Sequence, residues 1–101
     1  MRFEEKVWLL LKQIPRGRVT SYKEIARVLN TKAYRAVGKA CGRNPFAPKF
    51  PCHRVVSNNG GIGGYSGGIK KKIKLLEKEG IRVKNGRIMD FDQVFFKFSN
   101  K

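Results

Sequence analysis

The chain has 101 residues, 23 of them Lys or Arg against 7 Asp or Glu, and a formal net charge of +16. That length fits one domain, residues 1–101, able to bury a modest core without staples. So one-sided a charge points to a polyanion partner, nucleic acid first, with a strongly solvated surface as the plain alternative.

No stretch of 18 apolar residues and no secretory signal is present. Membrane contact is therefore not expected, and the protein is expected to be intracellular: cytoplasm or nucleoid, or nucleus in a eukaryote. In chain order, apolar residues at 3, 7, 8, 10, 11 and 14 predict an amphipathic helix over Phe3–Ile14, ended by Pro15. Arg16-Gly17-Arg18 makes a turn and Val19-Thr20 a short extended link. Ser21 is a good N-cap, with Glu24 at the capping-box position. A second helix is thus expected over Tyr22–Leu29, with Ile25, Val28 and Leu29 inward. After the break Asn30-Thr31-Lys32 a third helix runs from Ala33 to Gly42, closed by Asn44-Pro45.

Two short helices across a tight turn suggest a helix-turn-helix. Arg35, Lys39 and Arg43 recur at i, i+4, i+8 and give its second helix a basic stripe. Ala33, Ala36, Gly38 and Ala40 keep that helix slim enough to approach a groove, although small residues also suit ordinary helix packing. Between Lys6 and Lys74 the only acidic residue is Glu24.

Asn58–Gly68 carries 6 glycines in 11 residues and reads as a turn and loop where backbone approaches a ligand closely. The Walker spacing is missing from it. A last amphipathic helix is predicted over Ile69–Glu79, with Ile69, Ile73, Leu75 and Leu76 apolar and Gly80 at its C′ position. Ile81–Val83 and Arg87–Met89 around Asn85-Gly86 read as a hairpin. The tail, residues 91–101, holds Phe91, Phe95, Phe96 and Phe98, and is either packed back on the body or a contact surface. The fold class is mainly α: a helix-turn-helix, winged-helix-like DNA-binding domain with a small hairpin.

The chemistry concentrates in Pro51-Cys52-His53-Arg54-Val55-Val56. A thiol is a good nucleophile only as thiolate, and a neighbouring imidazole and positive charge both favour that form. The competing reading is a buried thiol used as apolar filler. Adjacent residues of an extended chain point to opposite sides, so His53 reaches the Cys52 sulfur only if the backbone bends. Cys41 is the second cysteine and His53 the only histidine. A structural zinc site takes about four ligands, so no metal site is expected.

The segment Pro51–Val56 resembles the active-site segment of the O6-alkylguanine-DNA alkyltransferases. Arg35-Ala36-Val37-Gly38, Asn44-Pro45, Tyr65-Ser66-Gly67-Gly68 and Leu75-Leu76-x-x-Glu79-Gly80 resemble further family segments in the same order and spacing, over roughly residues 3–80. The resemblance is to the family's C-terminal active-site domain, and it implies a single-turnover methyltransferase of DNA repair that needs no cofactor. Cys52 would take the alkyl group from O6-alkylguanine in double-stranded DNA after the base is flipped out. It further implies Cys52, His53, Glu79 and Asn44 as the catalytic set, with a water between Cys52 and His53, Glu79 orienting His53, and Asn44 bracing the turn. DNA contacts are expected from Tyr22, Arg35, Ala36, Gly38 and Lys39, with Tyr22 on the target phosphate and Arg35 filling the gap left by the flipped base. A guanine pocket is expected from Tyr22, Val55, Gly63, Tyr65, Ser66 and Gly67. Arg54 is expected to serve structure.

Three features depart from the family pattern. Almost nothing precedes Phe3, where family members usually carry an additional N-terminal domain; a dispensable domain, or a trimmed or separately encoded unit with a separate N-terminal domain or partner protein, are the alternatives. Tyr34 stands beside Arg35 where the family often has a small residue. Cys41 stands where an apolar pocket-side residue is usual. The alternative functions are an alkyltransferase-like lesion-binding protein without transfer, in which the cysteine is commonly tryptophan, and a plain helix-turn-helix regulator.

Overall fold

The computed structural model describes residues 1–98 apart from Pro48 and Ser66. Helix α1 spans Phe3–Leu11, shorter than its apolar pattern. The residue before Pro15 avoids helical geometry, so Ile14 reaches the core on a tight turn, with its N–H on the Leu11 carbonyl. Trp8 Nε1 donates to the Ala40 carbonyl at 2.8 Å and ties α1 to the helix that carries Arg35.

Strand β1, Thr20–Ser21, pairs in parallel with β2, Val55–Val56, with Thr20 opposite Val55 and Ser21 opposite Val56. Successive strand side chains alternate in direction. Val55 therefore enters one core with Val7, Leu11, Ile25, Val37 and Ala40, while Val56 enters a second with Val19, Leu76, Ile81 and Ile88. The Cys52 segment feeds directly into this seam.

Helix α2 is Tyr22–Val28, and its N-cap is the one expected: Ser21 Oγ accepts from Glu24 N–H at 3.0 Å. The reciprocal half of the capping box does not form. The Glu24 carboxylate instead accepts from Arg27 Nε and Nη2, at 2.9 and 2.8 Å, and from Phe98 N–H at 2.8 Å. Three donor nitrogens on a buried carboxylate outcompete the single backbone N–H of Ser21. Helix α3, Tyr34–Gly42, follows a break at which Asn30 takes a left-handed conformation (φ 57°). The α2–α3 pair is the helix-turn-helix.

Helix α4 is Ile69–Lys78. Its buried positions are Lys72 and Leu76, whereas Ile69 is 50 % exposed on the first turn. The expected apolar face is thus rotated, and a lysine occupies its centre. Strands β3, Val83–Lys84, and β4, Arg87–Ile88, are antiparallel across Asn85-Gly86, both at positive φ as a two-residue hairpin requires. Helix α5, Phe91–Val94, leads a tail that packs back on the body: Val19 N–H donates to the Val94 carbonyl, Phe96 N–H to the Val19 carbonyl, and Phe98 is buried in the first core. Residues 99–101 of the expected tail lie outside the described residues. Among the described residues no helix is long and apolar enough to cross a membrane.

Candidate active site and nucleic-acid interface

Pro51 ends the loop after α3, and Cys52–Arg54 make a single 3-10 turn before β2. The expected extended run is therefore bent at the cysteine. Cys52 N–H donates to the Phe50 carbonyl at 2.8 Å. Asn44 holds the same loop from the end of α3: its Nδ2 donates to the Phe50 carbonyl at 2.6 Å and its Oδ1 accepts from Phe46 N–H at 3.0 Å. An asparagine supplies a donor and an acceptor on one planar group, which is what two backbone groups of opposite sense need.

Cys52 is 5 % exposed. Burial pushes its thiol up from the ordinary value, and the hydrogen bond with Asn44 and the Lys72 charge offset only part of that. The thiolate favoured by its sequence neighbours is accordingly not the resting form. A buried anion is too poorly solvated.

Behind the thiol, three side chains from distant parts of the chain converge. Glu79 caps the C-terminus of α4, where a carboxylate opposes the helix dipole. Arg54 compensates with a two-pronged pair, Nε to Oε1 at 2.9 Å and Nη2 to Oε2 at 2.8 Å, while its Nη1 donates to the Ile14 carbonyl at 2.8 Å. His53 Nε2 lies 2.9 Å from Glu79 Oε2. Burial alone would raise the Glu79 carboxyl, but hydrogen bonds from Arg54 and His53 hold it below its usual range. Burial lowers the His53 imidazole, and Glu79 restores only part. The imidazole is thus neutral near pH 7. A carboxylate can only accept, so His53 donates through Nε2 and leaves Nδ1 as a bare acceptor. Nδ1 is buried and has no hydrogen-bond partner among the described residues. Arg54, expected to serve structure, is the residue that orients Glu79.

In front of the thiol lies a cavity of about 310 Å³ lined by Tyr22, Gly38, Cys41, Gly42, Cys52, Gly64 and Tyr65. That volume is at the lower end for small-ligand sites. Of the expected guanine pocket, Tyr22 and Tyr65 line it. Val55 does not: it is fully buried in the core beneath. Gly63 and Gly67 support the lining from behind. A Cβ on Gly63, at φ 72°, would lie 3.3 Å from the Tyr22 hydroxyl, and one on Gly67 would lie 3.0 Å from the Tyr65 ring. Ser66 is outside the described residues. Burial drives the phenol of Tyr22 and the thiol of Cys41 each up to about 12, so both stay protonated.

Lys72 escaped the sequence reading. It is 0 % exposed, and its Nζ donates to the carbonyls of Val55 at 2.7 Å and Gly64 at 3.0 Å. It pins the glycine loop to β2 beside the cavity, and burial lowers its ammonium to about 8. One lysine among many in a basic helix carries no signal of its own; only its i, i+4 relation to Leu76 on the buried face could have marked it.

The α3 stripe divides in three dimensions. Gly38 opens toward the Cys52 cavity and also toward an adjoining hollow with Tyr22, Tyr34, Arg35, Ser57 and Asn58. Arg35 is exposed there, beside a Tyr34 that is 41 % exposed. Ala36 and Lys39 instead line a separate hollow against the start of α1, together with Arg43. Arg43 donates to Glu4 at 3.1 Å, so the third cation of the stripe is paired. A spacing of four residues drifts around a helix of 3.6 per turn, and the stripe curves away from the cavity. Among the described residues no three His, Cys, Asp or Glu side chains converge on a point that could hold a metal ion.

A methylated-DNA–protein-cysteine methyltransferase of Methanosarcina mazei is 50 % identical over 78 residues, covering 76 % of this chain and 49 % of that protein. The chain thus spans about half the length of that relative. The fold is similar to that of Mycobacterium tuberculosis OGT in complex with DNA, with 48 % identity, a TM-score of 0.75, and coverage of 78 % of this chain and 50 % of that one. It is also similar to Schizosaccharomyces pombe Atl1 in complex with damaged DNA containing O6-carboxymethylguanine, with 28 % identity, a TM-score of 0.83, and coverage of 97 % of this chain and all of that one. The family model that matches is defined by DNA binding rather than as a C-terminal active-site domain, and it spans residues 2–81, from α1 through the Cys52 turn to Glu79. The chain belongs to the family of the 6-O-methylguanine DNA methyltransferase DNA-binding domain.

Proposed function

We propose that this chain takes alkyl groups from O6-alkylguanine in double-stranded DNA onto Cys52, once per molecule, as an intracellular methylated-DNA–protein-cysteine S-methyltransferase whose reactive cysteine sits in the DNA-binding domain itself. One observation carries the reading. A buried thiol opens on a small cavity walled by Tyr22 and Tyr65, and the next residue of the same 3-10 turn, His53, is a neutral imidazole whose Nδ1 is buried with no hydrogen-bond partner among the described residues. His53 Nδ1 takes the thiol proton, directly or through one water, and the imidazolium that forms is stabilised by the Glu79 carboxylate. The sulfur attacks the alkyl carbon; the S–C bond forms as the C–O6 bond breaks, its electron pair leaves with the guanine, and the guanine anion takes up, through solvent, the proton that the His53 imidazolium gives back. A thioether is not a leaving group for water, so the transfer ends there. Arg35, exposed on α3 beside the cavity mouth, fills the gap left by the extruded base. Extrusion costs a few kcal/mol in a sound duplex.

A second reading, lesion binding without transfer, is favoured by the neighbour Atl1, whose whole length this chain covers. Duplex DNA containing isotopically labelled O6-methylguanine separates the two. Transfer predicts label on the protein, one methyl by intact mass, lost in Cys52→Ser. Retained binding with no label leaves the lesion-binding reading. Label on Cys41 instead overturns the assignment of Cys52.

A further inference from the structure

The Cys52 cavity is the first of three adjoining hollows. It shares Tyr22 and Gly38 with the hollow beside Arg35. That hollow shares Tyr34 and Asn58 with a third, of about 590 Å³. The third lies between α2, the turn before α3, and α5, with Lys23, Lys32 and Tyr34 on one side and Phe91 and Phe95 on the other. The Phe91 and Phe95 rings meet edge to face, with centroids 5.5 Å apart, and make a wall. Lys23 N–H donates to Asn58 Oδ1 at 3.0 Å, which fixes the start of α2 against the loop between the second and third hollows. Glu24 and Arg27 at the base of this hollow neutralise each other. Lys23 and Lys32 enter no ion pair among the described residues, and Asp92 on α5 is the opposing charge at the rim.

We propose that this third hollow is a track for the DNA strand that carries the lesion. The sugar-phosphate backbone beside the extruded nucleotide leaves the Cys52 cavity past Tyr22, Arg35 and Asn58. It then lies in the hollow with phosphates on Lys23 and Lys32 and deoxyribose against Phe91 and Phe95. Phosphates are the feature of DNA that cations hold without reading sequence, as a lesion-directed protein requires. The apolar wall comes from α5, beyond residues 2–81 that the family model spans. The inference rests on the reading of the Cys52 cavity as a site for a flipped base.

The test is a salt titration of binding to an O6-methylguanine duplex, with ethylation interference on the lesion strand. Each phosphate contact contributes about 0.9 to the slope of log affinity on log salt, so Lys23→Ala with Lys32→Ala should shallow the slope by about 1.8. The double variant should also lose interference at phosphates flanking the lesion on one side, and Lys23→Arg with Lys32→Arg should restore both. Lys74→Ala with Lys78→Ala, exposed on α4, is the control and should leave the interference pattern unchanged. All these side chains are exposed, so unchanged thermal melting confirms the fold. A wild-type slope and pattern in the Lys23/Lys32 variant overturn the track alone. A wild-type protein that fails to bind the duplex overturns the track and the reading of the Cys52 cavity together.

Discussion

Glu79→Gln isolates what the carboxylate does for His53. Glu79 accepts from two nitrogens of Arg54, lies 2.9 Å from His53 Nε2, and receives a weaker contact from Gly17 N–H at 3.4 Å. Glutamine keeps the shape but offers one oxygen, and its nitrogen faces a donor of Arg54 in either orientation, and His53 as well in one of them. Breaking a buried charge pair costs about 3–5 kcal/mol. The isosteric change and the retained Arg54 bond to the Ile14 carbonyl place this one at about 3 kcal/mol. For a chain of this size that is a fall of roughly 12–24 °C in melting temperature. The stability Glu79 contributes is complete above its unfolded value near 4.5 and is lost as pH falls through the lower folded value. The variant should therefore show a flatter acid limb below about pH 4.5. Transfer should slow by roughly 10²-fold or more, because the imidazolium loses its counter-charge. The assay is single-turnover transfer at low temperature, normalised to the folded fraction, on the duplex and on free O6-benzylguanine. Both substrates should slow equally, since the defect lies at the thiol. A variant that loses stability but transfers at the wild-type rate per folded molecule would refute the role, leaving Glu79 a structural anchor for Arg54.

Three further outcomes follow from the geometry. Transfer should be nearly independent of pH between about 6.5 and 9, because the imidazole is lowered from the first value and the thiol raised from the second, and the reacting ion pair has the same net protonation as the resting pair. A tenfold rise per pH unit across that window would mean a thiolate formed without His53. Arg35→Ala should slow repair of the duplex far more than of free O6-benzylguanine, which has no stack to leave; equal losses would assign Arg35 to the fold. Gly38→Val should impede duplex repair although a Cβ there meets nothing within 4 Å. The residue closes the gap between the Cys52 cavity and the Arg35 hollow while removing a flexible glycine from a helix, so unfolding in urea should shift little.

Helices α1 to α4, the Ser21 cap and the Asn85-Gly86 turn were legible in the amino-acid order, because each rests on residues within one or two turns of one another. Periodicity, capping and motif strings are local quantities, and local physics decides them. Site roles for Tyr22 and Arg35 came from the family resemblance, whereas local pattern supplied only their helices and the basic stripe. What tertiary structure alone decided is charge. Along the chain Lys72 is one lysine of an amphipathic helix and Glu24 stands at a capping-box position. In the fold one is fully buried between two carbonyls, and the other anchors Phe98 from the far end of the chain. The resting thiol at Cys52, the neutral His53 and the ionised Glu79 are set by burial and by partners up to 26 residues apart. Protonation depends on the dielectric and the charges around a group in space, and no window along the chain contains either.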